Sequence, residues 1–174
     1  MKPRWIALAL TLLLLLGTGL WLFAVPSVSA GNEIPTSEQA IARGQYLFTA
    51  GGCISCHRDE ENPEIASGGL GIESPFGTFY APNITPDPAT GIGAWQAEDF
   101  LRAMKHGRSP SGSFYFPAFP YRAYAGLTDA DVLDLAGYLM SLPAVQQQAP
   151  AHEVPGWLRR FMMAGWNRLA DFAE

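Results

Sequence analysis

The stretch Cys53-Ile54-Ser55-Cys56-His57 decides how this chain of 174 residues is interpreted. Two cysteines separated by two residues and followed at once by a histidine are typical of covalent attachment of a c-type haem. The two sulfurs can each add across a vinyl group of the porphyrin, and the adjacent imidazole can bind the iron as its proximal ligand. The sequence therefore predicts one haem c, held by Cys53 and Cys56, with His57 on the metal.

Other uses of the same residues fit less well. They include the only two cysteines of the chain, whereas a structural zinc site takes about four ligands, normally with more thiolates or a second histidine at close spacing. A redox dithiol is expected beside a strand followed by a helix, and the polar residues after His57 suit a loop instead. A disulfide or dithiol is the alternative to haem.

The N-terminus predicts export. Lys2 and Arg4 precede an uncharged, mostly apolar stretch at 5–25, and Val28-Ser29-Ala30 then fits a signal-peptidase site. The apolar stretch exceeds a usual signal core and is long enough to cross a bilayer, which favours a retained anchor over a cleaved signal. We therefore expect residues 1–30 to anchor the chain at the periplasmic face of a bacterial inner membrane. A soluble periplasmic protein, formed by cleavage, is the alternative.

Length and charge limit the rest of the chain. Removing the first 30 of 174 residues leaves about 144, enough for one small domain at 36–145 and a linker and tail at 146–174. Without Lys2 and Arg4, 9 basic residues face 16 acidic ones, so this part carries about −7 and has no basic run suited to nucleic acid. We expect redox proteins and the membrane as partners.

An acidic cluster follows the haem motif and consists of Asp59, Glu60, Glu61 and Glu64. It either steers a basic partner or forms a solvated loop.

Helical patterns predict an all-α domain. The expected helices are 36–50, capped by Thr36 or Ser37 and ended by Gly51-Gly52; 96–106, ended by Gly107; and a third capped by Thr128 with Asp131 and stopped by Pro143. Apolar positions expected in the first helix are Ile41, Tyr46, Leu47 and Ala50, and in the third Val132, Leu135, Ala136 and Leu139. No segment shows sustained alternation of apolar and polar residues.

The long stretch 58–94 is rich in Gly, Pro, Asn and Thr and far exceeds an ordinary connection. Wrapping a flat porphyrin would give it a role, because the ring supplies core surface that short helices lack. A small hairpin against the ring is expected from Leu70, Ile72, Phe76, Phe79 and Tyr80. Alternatively, these apolar residues only pack the loop onto the domain.

The order of helix, haem motif, long loop and two further helices resembles a class I cytochrome c. Several strings narrow the resemblance to the cytochrome c subunits of exported alcohol, aldehyde and sugar-acid dehydrogenases. They are Arg43-Gly44-Gln45-Tyr46-Leu47, Gly51-Gly52-Cys53, Pro75-Phe76-Gly77-Thr78, Asn83-Ile84-Thr85-Pro86-Asp87, Gly91-Ile92-Gly93-Ala94-Trp95 and Phe116-Pro117-Ala118-Phe119-Pro120-Tyr121. The resemblance implies an electron carrier rather than an enzyme, which accepts electrons from a dehydrogenase and passes them to ubiquinone, a further cytochrome or an oxidase.

One departure from that family concerns the sixth position of the iron. The resemblance implies a methionine in the proline-rich string or just before the last helix, but this chain has Phe119 and Leu127 there. The remaining candidates are Met104, His106, Met140 and His152. An open sixth position would suit a peroxidase or a gas-binding module, the alternative to electron transfer.

After Pro155 the tail has the pattern of an amphipathic helix. Its apolar residues are Trp157, Leu158, Phe161, Met162, Leu169 and Phe172, and its polar residues are Arg159, Arg160, Asn167, Arg168 and Asp171. Such a helix either lies at the membrane interface or docks onto the domain's own surface.

Overall fold

The computed structural model describes residues 3–28, 33–158 and 160–171. Within them the elements are α1 Pro3–Phe23, α2 Glu38–Ala50, α3 Cys53–His57, β1 Gly71–Ser74, β2 Gly77–Tyr80, α4 Ala97–His106, α5 Asp129–Ser141 and α6 Met163–Asp171. Short 3-10 turns lie at Tyr121–Ala123 and Arg160–Met162. Parts of the predicted export signal and tail lie outside the described residues, namely Lys2, Ser29, Ala30, Arg159 and Phe172.

Helices α2 and α5 cross at Gly44 to form the centre of the domain. A Cβ atom on Gly44 would lie 2.0 Å from the carbonyl oxygen of Asp134, so the crossing requires glycine. Beside it, Arg43 Nε donates to Asp134 Oδ2 at 2.7 Å. Helix α4 packs against α5. The core is formed by Phe48, Ala66, Ile92, Ala97, Phe100, Leu101, Val132, Leu133, Leu135, Ala136 and Leu139.

The sequence patterns predicted the helix ends correctly but were wrong about part of the buried face of α2. Helix α2 starts after a cap at Ser37, and Thr128 forms the predicted capping box with Asp131 at the start of α5. The apolar face expected for α2 was wrong at Tyr46, which is 72% exposed, and at Ala50, which is also exposed. The helix buries Ala40, Gly44 and Phe48 instead, because the close approach at Gly44 decides which side of α2 meets α5.

A two-stranded hairpin interrupts the helical fold, as predicted for the long loop. Strands β1 and β2 pair antiparallel, with Ile72 opposite Phe79. Thr78 also exchanges two backbone hydrogen bonds with Glu153, at 2.9 and 3.1 Å, so the chain returns along the outer edge of β2. The domain is therefore mostly helical rather than purely all-α. Strands of four residues are too short to give a sustained alternation in the sequence.

Candidate haem-attachment site

Helix α3 presents the two thiols of the motif on one turn. Gly52 adopts φ 65°, a left-handed conformation that lets the chain turn sharply from α2 into α3. Residues three apart on a helix lie on the same side, so Cys53 and Cys56 share one face. Both are free thiols, and both are half-buried. Burial raises the pKa of the Cys53 thiol to about 11, which keeps it protonated at neutral pH.

The ring of His57 is oriented by a carbonyl group far away in the sequence. His57 Nδ1 lies 2.8 Å from the carbonyl oxygen of Pro82. Because a carbonyl only accepts, Nδ1 must carry the proton, and the lone pair of the ring is then on Nε2. Burial lowers the pKa of His57 despite the opposing effect of this hydrogen bond, so the neutral form needed for metal binding is favoured.

Close packing of two loop segments holds the Pro82 carbonyl in place. Gly68 N donates to the His57 carbonyl oxygen at 2.8 Å, and Ile84 N donates to the Ala66 carbonyl oxygen at 3.0 Å. Gly68 has φ 75°, and a Cβ atom there would lie 2.5 Å from both the carbonyl oxygen of Ala81 and the carbonyl carbon of Pro82. Glycine is therefore required directly behind the group that orients His57.

Asn83 and Asp87 of the long loop form hydrogen bonds that support the loop next to the contact between His57 and Pro82. Asn83 Oδ1 accepts from Thr85 N at 2.8 Å, and Asn83 Nδ2 donates to the Val145 carbonyl oxygen at 2.7 Å. Asp87 Oδ1 accepts from the backbone and the hydroxyl of Thr90, each at 2.7 Å, and these hydrogen bonds lower the pKa of Asp87. The loop is thus held by its own polar side chains and by the chain that follows α5.

An aromatic row approaches the thiols from the segment between α4 and α5. We define this row as Tyr115, Phe119 and Tyr124. Tyr124 donates to the Gly51 carbonyl oxygen at 2.9 Å, and its pKa is raised by burial and then by the nearby cysteines. Phe119 stacks on Tyr124 with ring centroids 6.1 Å apart and meets Tyr115 edge-on at 5.4 Å. Burial raises the pKa of Tyr115 to about 12.

The predicted sixth-ligand candidates lie in different surroundings. Met104 and Met140 are half-buried and pack against the helical core. His152 Nδ1 accepts from Tyr80 N at 3.1 Å, and its Nε2 lies 3.2 Å from Arg160 Nη2. His106 lies in the last turn of α4, where its carbonyl oxygen accepts from Asn167 Nδ2 at 3.4 Å. The Tyr80 N–H group therefore already uses Nδ1 of His152, and Nε2 faces the Arg160 guanidinium.

The acidic cluster after the motif contains one structural carboxylate. Asp59 Oδ1 accepts from the backbone N–H groups of Glu61 and Asn62, at 2.9 and 2.8 Å, which closes the turn after α3. These bonds and those from Ser67 and Gln147 lower the pKa of Asp59. Glu60, Glu61 and Glu64 are exposed. Within the cluster, Asp59 therefore stabilises the turn, and the three glutamates form solvated surface.

Sequence reasoning missed Pro82 and the aromatic row. The carbonyl oxygen of Pro82 belongs to the backbone, so no residue type could reveal its role. Phe119 was noted only as the residue in place of the expected methionine, and the contact of Tyr124 with Gly51 spans 73 positions. This site fits a covalently bound haem. The two thiols supply two attachment points, the oriented imidazole supplies a nitrogen ligand, and the aromatic row supplies apolar surface.

Comparison with known proteins supports the same class. The family model described as cytochrome c matches residues 41–143, so the chain belongs to the cytochrome c family. Membership implies a covalently bound haem c. The predicted resemblance to dehydrogenase cytochrome subunits is also confirmed.

Three relatives illustrate this similarity. A nicotinate dehydrogenase subunit of Pseudomonas putida is 41% identical, over 84% of this chain and 12% of the relative. A diheme cytochrome c-type protein of Cereibacter sphaeroides is 39% identical, over 96% of this chain and 58% of the relative. The fructose dehydrogenase cytochrome subunit of Gluconobacter japonicus is 37% identical, over 83% of this chain and 29% of the relative. The chain thus matches less than two thirds of the length of each.

Proposed function

We propose that this protein carries one haem c, attached through thioether bonds from Cys53 and Cys56 and bound through Nε2 of His57. The hydrogen bond from His57 Nδ1 to the Pro82 carbonyl oxygen carries this proposal, since it fixes the tautomer and orientation that a proximal ligand needs. The bound haem supplies one-electron iron redox chemistry. The proposed haem count of one follows from the presence of two cysteines in the sequence.

The proposed function is transfer of single electrons from an exported dehydrogenase to the respiratory chain. Family membership supports an electron carrier rather than a catalytic subunit. Several relatives are named as cytochrome subunits of fructose, gluconate and alcohol dehydrogenases, which supports a dehydrogenase as the donor. A downstream cytochrome or an oxidase is the proposed acceptor.

We place the protein at the periplasmic face of the inner membrane, anchored by α1. The segment Arg4–Phe23 is long and apolar enough to cross a bilayer, a property that it shares with signal sequences. Contacts at the end of the helix support a retained anchor: the Phe23 ring meets Phe114 at 6.0 Å, and Val28 packs against the core. Proposed limits remain 1–30 for the anchor, 36–145 for the cytochrome domain and 146–174 for the linker and tail.

Expression of the full chain in a host that matures c-type cytochromes tests the haem proposal. The purified protein should exceed the mass of its polypeptide by one haem, and single Cys53→Ala and Cys56→Ala variants should each keep a pigment held by one remaining thioether. A His57→Ala variant should keep the covalent pigment but lose the absorption spectrum that the native histidine ligand gives the haem. A polypeptide without added mass would overturn the proposal, and a mass gain of two haems would overturn the count.

A second function, ligand binding at an open iron position, is favoured by the aromatic row. Phe119 is fixed between Tyr115 and Tyr124 and offers no atom that can donate to iron. Nδ1 of His152, one of the alternative ligands, already accepts from the Tyr80 N–H group. Rapid binding of carbon monoxide to the ferrous protein would support this second function, and peroxide turnover would distinguish a peroxidase from a gas-binding module. A six-coordinate spectrum without any response to carbon monoxide would exclude both.

A further inference from the structure

The C-terminal segment presents a row of large apolar side chains to solvent. We call Trp157, Phe161, Met162 and Trp166 the interfacial face; their exposed fractions are 61%, 61%, 44% and 55%. Met162 and Trp166 are four residues apart and therefore lie on the same side of the helical segment. On the other side, Ala164 and Asn167 are buried at 3% and 6%. The tail is thus docked by one side and exposed on the other.

Specific hydrogen bonds fix the docked side on the cytochrome domain. Arg160 Nη1 donates to the Phe114 carbonyl oxygen at 3.1 Å, and its guanidinium lies 4.8 Å from the centre of the Phe116 ring. Asn167 Nδ2 donates to the carbonyl oxygen of His106 at the end of α4. The direction of the interfacial face is therefore set by the domain itself.

The same tail also binds the C-terminal end of α1. Arg168 Nη2 donates to the carbonyl oxygens of Trp21 and Ala24 at 2.9 and 3.1 Å, and Arg108 Nη2 donates to that of Ala24 at 3.1 Å. The last turn of α1 contains no basic residue of its own. The two arginines supply the donors and positive charge that the end of a helix favours.

We propose that the interfacial face lies in the headgroup region of the bilayer, beside the point where α1 leaves the membrane. Continuity supports lipid as the occupant, since the residues bound by the tail are the last of α1, whose apolar side chains are themselves exposed: Leu20, Trp21 and Phe23. Tryptophan and phenylalanine on the exposed side of this docked segment suit that depth. The proposal rests on the anchor role of α1, and it makes the tail a second contact that limits rotation of the domain about the anchor.

Photo-crosslinking of the full-length holoprotein in phosphatidylcholine vesicles tests the proposal. A benzophenone amino acid replaces Phe161 or Trp166, and in matched controls it replaces Tyr46 or Phe76, which are exposed to 72% and 53% elsewhere on the domain. We expect roughly tenfold more lipid adduct at Phe161 and Trp166 than at the controls. The haem spectrum of each variant verifies that it is folded.

Equal amounts of lipid adduct at all four positions, or adducts only to protein, would overturn the proposed location of the interfacial face in the headgroup region. Extraction of the same vesicles with alkaline carbonate tests the anchor separately. Release of the protein would overturn the anchor role of α1, and with it the stated position of the face beside a membrane-spanning helix. Retention with lipid adducts confined to Phe161 and Trp166 would support both.

Discussion

The imidazole Nδ1 of His57 is hydrogen-bonded to the carbonyl oxygen of Pro82 at 2.8 Å, across 25 positions of the sequence. This hydrogen bond determines both the tautomer and the orientation of the His57 imidazole. Metal-binding histidines generally need such a partner, which orients the ring and raises its basicity. The long loop after the motif therefore has a role that its composition did not reveal.

Substitution of Gly68 tests how the Pro82 carbonyl is held. In Gly68→Ala the new Cβ would meet Ala81 and Pro82 at 2.5 Å, and φ 75° is unfavourable for alanine. We expect a loss of unfolding free energy of roughly 1–3 kcal/mol, as for other strained backbone positions. If the His57 hydrogen bond weakens, the imidazole donates less to iron, and the reduction potential should rise.

Chemical denaturation and redox titration of the holoprotein measure these two effects. Gly126→Ala is the control, because a Cβ at Gly126 meets nothing within 4 Å. Equal stability and equal potential in the two variants would contradict the supporting role of Gly68.

The close crossing of α2 and α5 predicts that substitution of Gly44 destabilises the protein. Alanine normally stabilises a helix interior by about 1 kcal/mol relative to glycine. At Gly44, however, the added Cβ would lie 2.0 Å from the Asp134 carbonyl oxygen, so the helices must separate. We expect Gly44→Ala to destabilise the protein by roughly 3 kcal/mol. Thermal unfolding followed by circular dichroism checks this, and Gly165→Ala in α6, which has open space, should not destabilise the domain.

Introduction of a methionine at Phe119 tests the open iron position. A Phe119→Met side chain would place a thioether in the row beside Tyr124, and methionine opposite histidine raises the potential of a c-type haem. We expect the variant to lose the rapid carbon monoxide binding predicted for the native ferrous protein. Flash photolysis and redox titration report the two properties, with the exposed position Phe76→Met as control. Unchanged carbon monoxide kinetics in Phe119→Met would show that Phe119 does not lie over the iron.

Acid should destabilise the folded protein through three carboxylates. Hydrogen bonds lower the pKa of Asp59, Asp87 and Asp131 in the folded chain. Their stabilising contribution is therefore fully present above the unfolded pKa of about 3.9 and is lost as the pH falls through the lower folded values. We expect the denaturation midpoint to stay level above about pH 5 and to drop below about pH 4. Asp87→Asn should weaken this acid dependence, whereas Glu61→Gln on the exposed part of the loop should retain it.

Features that depend on neighbouring residues were predictable from the amino-acid sequence. The spacing of Cys53, Cys56 and His57 indicated the haem chemistry, and the capping box at Thr128 and the glycine after His106 gave the limits of two helices. These signals are readable because helix caps and the haem motif are formed by residues within about four positions of one another.

The groups that meet around that motif from distant parts of the chain became visible in the three-dimensional fold. It brought Pro82 to His57, Tyr124 to Gly51 and Arg168 to the end of α1, over separations of 25, 73 and more than 140 positions. It also turned Tyr46 outward, against the apolar pattern of α2. Such contacts depend on how whole helices and loops pack, and on close approaches at Gly44 and Gly68, and no local pattern in the sequence specifies that packing.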